Sequence, residues 1–190
     1  MAQQFAQIEP AQRDFILRQH MFFVATAAPG GRVNLSPKGL DALRVLGPNA
    51  VAYLDRTGSG NETAAHLRAD GRLTLMLCAF EGPPRILRLY GRGHILRRGT
   101  PEYARLLAEA FDGEEPVGAR QLVVLDVDLV QTSCGFGVPL YDYRGERPAL
   151  NKWAEAKGSE GLEAYRREHN AHSIDGLSTG LLEDEPAAVS

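Results

Sequence analysis

The segment "MFFVATAAPGGRVNLSPKGL", residues 21–40, restricts the fold more than any other part of the chain. An aromatic and β-branched run stops at Pro29, Gly30 and Gly31, and a second strand-like run follows at once. Such a gap cannot hold a helical crossover, so the two runs predict a β-hairpin. Further strands are predicted at "AVAYLD" (Ala50–Asp55), "RLTLMLCAF" (72–80), "RILRLYGRGHIL" (85–96) and "RQLVVLDVDLVQT" (120–132). "EGPP" joins the middle pair too tightly for anything but antiparallel pairing. Between these runs only short helices fit: Pro10–Gln19, Asn61–Ala69, and Pro101–Phe111 with Thr100 as N-cap and Pro101 at the first helical position. Six strands with short helices predict a mainly β fold, a small antiparallel barrel with helices on its outside.

After residue 132 the texture changes. "SCGFGVPLYDYRGERPAL" is a glycine- and tyrosine-rich connection, followed by helical patterns at about 148–157 and 160–169. The expected organisation is a barrel domain with its N-terminal helix, residues 1–132, and a helical C-terminal extension, residues 133–190, packing on it. The tail "EDEPAAVS" is expected to be disordered.

Composition removes several classes of function. A formal charge of −3 lacks the basic excess of a nucleic-acid binder. The arginines of "RILRLYGRGHILRR" alternate along a strand and read as a solvated edge. No stretch approaches the length of apolar chain that spans a membrane, and the N-terminus lacks a signal-peptide pattern, so a cytoplasmic location is expected. The two cysteines, Cys78 and Cys134, form no C-x-x-C pair. Cys78 sits in an apolar run and reads as a small buried side chain. Nothing in the local sequence fixes a base beside Cys134 to make it a nucleophile. His169 and His172 have helix-compatible spacing but no third ligand in view, so no metal site is expected.

Two stretches carry the chemistry. In "VNLSPKGL" a rigid strand end presents Lys38 between a proline and a glycine. In "DRTGSGNET" a low-bulk elbow leads into a helix, where glycines let the backbone approach an anion and free N–H groups favour negative charge. Both are expected to grip the same phosphate. The elbow also mimics the dinucleotide fingerprint G-x-G-x-x-G, with Glu81 at about the expected interval. However, Thr63 stands at the third glycine position, the helix is short for a parallel crossover, and no second βαβ unit follows. A doubly wound dinucleotide fold is therefore not predicted.

The run "FFVATAAPGGRVNLSPKG … VAYLDRTGSGNETAAHLRADGRLTLMLCAF … RILRLYGRG" resembles the pyridoxamine 5′-phosphate oxidase-like family of FMN-binding split β-barrels, over about Phe22 to Thr132. The C-terminal segment looks like that of an uncharacterised branch of the superfamily. The resemblance implies a homodimer with FMN in clefts at the subunit interface, and a basic residue ending the second barrel strand, here Lys38, on the FMN phosphate. The true oxidases carry Ser-Arg-Lys in the loop-to-helix segment; the equivalent positions here are Asn61, Glu62 and Thr63. The phosphate would then rest on Lys38, the hydroxyls of Ser36, Ser59 and Thr63, the Asn61 amide and backbone N–H groups around Gly60. Losing two cations weakens such a site or changes its ligand. Glu62 is expected to pair with an arginine or face solvent, and an acid suits a helix start. Arg88 sits where the family often contacts the flavin, and it also reads as a sheet-edge charge. Trp153 is placed to cover the flavin ring or to pack in a helical core.

The resemblance thus implies an FMN-dependent oxidoreductase acting on a small organic substrate, with the chemistry supplied by the flavin and no catalytic side chain assigned. Two alternatives stay open. One keeps the fold and changes the ligand to the deazaflavin F420 or to haem, for which His66 and His94 are the barrel-region histidines available. The other is a non-catalytic flavin-binding or dimerisation module.

Overall fold

A computed structural model describes residues 2–183. Of the tail expected to be disordered, all but Glu183 lies outside the described residues. In chain order the elements are β1 (Gln3–Phe5), α1 (Pro10–Leu17), β2 (Phe22–Thr26), β3 (Asn34–Lys38), β4 (Leu43–Gly47), β5 (Ala50–Arg56), α2 (Glu62–Ala69), β6 (Arg72–Cys78), β7 (Ile86–Arg97), α3 (Pro101–Ala110), β8 (Ala119–Ser133) and α4 (Ala149–His169). All six expected strands are present, together with β1 and β4, which are short additions to the predicted set.

The sheet runs β3-β2-β6-β7-β8-β5-β4, and every pairing is antiparallel. Its two ends, β3 and β4, are joined in sequence by residues 39–42 alone, so the sheet curls until its edges face each other. Leu40 and Asp41 take the left-handed conformation at this corner, with φ of 60° and 50°. The long strand β8 is shared out along its length. One side pairs with β7 throughout; the other pairs with β5 over Ala119–Asp126 and with β1 over Val130–Thr132. The result is a split antiparallel barrel with helices outside.

One apolar cluster fills the barrel, drawing Val24, Val51, Tyr53, Leu75, Leu89, Leu125 and Val130 from five strands. A second cluster, around Leu54, Tyr103, Phe111 and Leu122, lies between the barrel wall and α3. β5 and β8 are therefore covered on both faces, which is why "AVAYL" and "QLVVL" read as unbroken apolar runs. At its N-cap, α3 places the Thr100 hydroxyl to accept from the Tyr103 amide at 3.3 Å. The span of α4 contains two helical stretches meeting at Gly158, whose φ of 65° and ψ of 178° only glycine adopts readily.

Candidate functional site

The site begins with an acid in an improbable place. Asp55 follows the apolar run of residues 50–54 one residue before the end of β5, and its carboxylate is buried. Burial alone would raise its pKa, but Arg120 and then Lys38, by charge and by hydrogen bonds, hold it well below the usual carboxylate range. Lys38 Nζ donates to Oδ1 at 2.9 Å. Arg120 donates to Oδ2 from Nε at 3.1 Å and Nη2 at 2.6 Å, and Gln121 Nε2 donates to the same oxygen at 2.9 Å. The register makes this possible, since Asp55 pairs with Gln121 across β5 and β8. Lys38 arrives from the far edge of the curled sheet.

The elbow is locked from the same centre. Arg120 Nη1 donates to the Gly60 carbonyl at 3.1 Å and to Asn170 Oδ1 at 2.7 Å. Gln121 Nε2 reaches Asn61 Oδ1 at 2.8 Å, and Asn170 Nδ2 reaches the Gly58 carbonyl at 3.0 Å. Asn61 is buried at the N-cap position of α2 without a side-chain capping bond, because its amide is turned into this network. Thr63 is buried too, its hydroxyl accepting from Asn34 Nδ2 at 3.4 Å. Ser59 and Gly60 remain exposed.

Glu62 corrects an expectation. It neither pairs with an arginine nor stands free: its carboxylate accepts from the Ile174 amide at 3.0 and 3.2 Å. Beside it Asp175 accepts from the Arg32 amide at 2.6 Å and from the Arg32 guanidinium. A turn of the C-terminal extension thereby lies along the elbow and the β2–β3 hairpin.

Two clefts meet at Lys38. The larger, about 1260 Å³, has Pro37–Leu40 in one wall, Ala79–Arg85 in another, and residues 141–147 as a strap along its side. Four of its ring side chains stack in pairs. Tyr143 stacks on His20 with centroids 3.5 Å apart and planes 6° from parallel, and Tyr141 stacks on Phe80 at 5.5 Å. The strap is pinned by the Tyr141 amide on the Phe80 carbonyl at 2.9 Å and the Tyr143 amide on Glu81 at 3.3 Å. The smaller cleft, about 690 Å³, is lined by the same Pro37–Leu40 wall and by Arg56, Thr57 and Gly58 from the elbow. The two stretches singled out in the sequence therefore do converge, through Lys38 on one side and Arg56, Thr57 and Gly58 on the other, whereas the expected phosphate contacts Ser59, Gly60, Asn61 and Thr63 line neither cleft. Lys38 is 26% exposed, and its ammonium also lies 5.9 Å from the Tyr53 ring centroid.

The remaining candidates stand apart from both clefts. Ser36 shares the Lys38 face of β3 and pairs with Val24. Arg88, on β7, donates to Ser133 Oγ at 3.3 Å. Trp153 packs edge-on against Tyr165 at 5.0 Å. His66 is on the buried face of α2, with Nδ1 3.0 Å from Thr26 Oγ1 and Nε2 without a hydrogen-bond partner among the described residues; His94 lies 3.7 Å from Asp126 on the surface. Cys134 is exposed, and burial pushes the Cys78 thiol up. Among the described residues no three His, Cys, Asp or Glu side chains gather as a metal site, and no helix is long and apolar enough to cross a membrane.

Sequence reasoning missed Asp55, Arg120, Gln121, Asn170 and the His20–Tyr143 stack. The first two did leave a signal: an acid closing one apolar strand and an arginine opening another, where buried strands rarely place a charge.

The comparisons agree with this architecture. A curated relative, the "Pyridoxamine 5'-phosphate oxidase family protein ustO" of Aspergillus flavus, is 44% identical over 181 residues, covering 87% of this chain and 72% of that protein. Among solved structures, a variant of HupZ from Group A Streptococcus superposes with a TM-score of 0.53 at 19% identity, over 66% of this chain and 99% of that one. A putative pyridoxamine 5'-phosphate oxidase from Lactobacillus delbrueckii gives 0.52 at 16% identity, over 66% and 94%. At such identities these structures speak for the fold alone. The family profile described as Pyridoxamine 5'-phosphate oxidase matches residues 8–134, which with the close curated relative settles the matter of kinship: this chain belongs to the pyridoxamine 5′-phosphate oxidase family.

Proposed function

We propose that the protein is an FMN-dependent oxidoreductase acting on a small organic substrate, working as a homodimer with its cofactor at the subunit interface. The observation that carries this reading is the position of Lys38: a cation held by a buried carboxylate in the wall shared by an aromatic cleft and a smaller, more polar one. A planar ring system with an anionic tail needs both halves of that arrangement. Ring faces come from the His20–Tyr143 and Phe80–Tyr141 stacks, and the tail meets a cation whose position is fixed in advance.

The residues present fit such a group at the larger cleft, with one change from the sequence expectation. Because Asn61 and Thr63 are engaged inside the protein and Ser59 lines neither cleft, the elbow contributes Arg56, Thr57 and Gly58 at the smaller cleft, and Lys38 is the cation common to both. When bound, the flavin supplies the electron-transfer chemistry. The protein's part is to bind and orient. Asp55 fixes the direction of the Lys38 ammonium, and the pinned strap limits water along one side of the cleft. A partner subunit is supported by β3, a sheet edge that leaves Leu35 exposed, with Val33 exposed just before it.

The test is to release the small molecule from freshly purified protein by heat and identify it by mass spectrometry. FMN near one per chain is expected. Haem or a deazaflavin would replace the cofactor assignment, and a chain that neither retains nor rebinds a flavin would overturn it. Bound FMN that no reductant or substrate reduces would leave a binding module.

A further inference from the structure

At the end of β7 and β8 remote from the aromatic cleft lies another cavity, about 680 Å³, whose walls include Arg68, Arg97, Arg98, Arg120 and Arg166. Four of these guanidinium groups meet carboxylates or the chain beside one. Arg68 pairs with Glu183 at 2.8 Å, and Arg97 donates to the Glu183 carbonyl at 2.9 Å. Arg98 binds Glu115 through two nitrogens at 2.9 and 2.6 Å, and Arg120 binds Asp55. Arg166 differs. Its Nε donates to Thr57 Oγ1 at 2.7 Å and its Nη2 to the Ala119 carbonyl at 2.8 Å, both neutral oxygens. Among the described residues it has no ion-pair partner; Glu163, one turn away, pairs instead with Arg167 at 3.7 Å.

Among the described residues Arg166 is thus a half-buried cation whose charge no carboxylate in direct contact balances. Burial lowers its pKa, the neighbouring Arg98 and Arg120 lower it further, and Glu163 and Glu115 offset this only in part. Such an arrangement is unfavourable as it stands and becomes favourable once an anion enters, because forked guanidinium donors suit tetrahedral and planar oxyanions. We infer that this cavity is an oxyanion site, taking inorganic phosphate or the phosphate group of a small ester, with Arg166 as its principal donor and Arg98 and Arg120 beside it. Arg120 also clamps Asp55, which holds Lys38, so an anion here is connected to the aromatic cleft through that chain of contacts. Any coupling along that chain is reciprocal between the two ligands.

The probe is inorganic phosphate on the full chain, followed by calorimetry and by thermal unfolding at constant ionic strength against chloride. Saturable binding and a melting temperature raised above the chloride control are expected. Arg166→Gln should weaken binding roughly tenfold or more, as befits loss of a charge-assisted donor, whereas Arg166→Lys, which keeps the charge, should lose less. Lys38→Ala should leave phosphate binding at this cavity intact. Methyl phosphate binding more tightly than phosphate would identify an ester as the ligand, and the reverse would identify the free ion. The inference is overturned if phosphate shows no saturable binding, if Arg166→Gln binds as the wild type does, or if Lys38→Ala alone abolishes binding.

Discussion

Asp55 decides whether Lys38 is a displayed cation or a loose surface lysine. Both carboxylate oxygens accept hydrogen bonds, and three side chains converge on them. Replacing it by Asn leaves the buried Arg120 without its counter-charge, and Asp55→Asn should cost about 3–5 kcal/mol in urea unfolding at neutral pH. The pH dependence has a definite sign. Because the folded pKa lies below that of the unfolded chain, the contribution is complete above the unfolded value of about 3.9 and is lost as pH falls through the folded one. The wild-type urea midpoint should therefore fall on acidification below about pH 4 by more than that of Asp55→Asn. Parallel curves would mean that Asp55 contributes nothing through its charge. Lys38 was legible in the sequence because Pro37 and Gly39 frame it. Asp55 and Arg120 were not, because they lie 65 residues apart and meet only through the β5–β8 pairing.

Among the elements, the β7–β8 ladder carries the longest pairing, and Gly91 is its tightest point. The register shifts between Tyr90 and Gly91, and a Cβ at Gly91 would run into the Asp126 carbonyl of the neighbouring strand. Gly91→Ala should therefore cost several kcal/mol, on the order of 3 or more, or prevent folding. Gly158 offers a contrast, since a Cβ there meets nothing within 4 Å and only the backbone conformation resists. Gly158→Ala should cost about 1–3 kcal/mol in the same unfolding assay. Equal costs would contradict the distinction between a steric and a conformational glycine. The break itself was readable, because "KGSEG" interrupts the helical pattern and yields two predicted helices where one span is found. β1 and β4 were not readable. "QQF" is too short and polar to carry alternation, and "LRVLG" is a half-buried edge strand that reads like a linker between Lys38 and β5.

Over the whole molecule, the hairpin at residues 21–40 and the tight 79–85 connection already forced antiparallel pairing, and the barrel followed. The closing of the sheet, the sharing of β8 between two neighbours, and the strap that builds the aromatic cleft depend on contacts far apart in sequence. The proposed dimer belongs to this scale. If the outer face of β3 is the interface, Leu35→Glu should convert a dimer to a monomer in light scattering, while an unchanged mass would move the interface elsewhere. The central claim is that Lys38 seats the charged tail of a flavin whose ring lies in the aromatic cleft. Its most direct test is a fluorescence titration of FMN and riboflavin against wild type and Lys38→Ala. Wild type should prefer FMN by roughly tenfold or more, and that preference should vanish in Lys38→Ala while riboflavin binding stays the same. An FMN-to-riboflavin ratio unchanged by the substitution would contradict it.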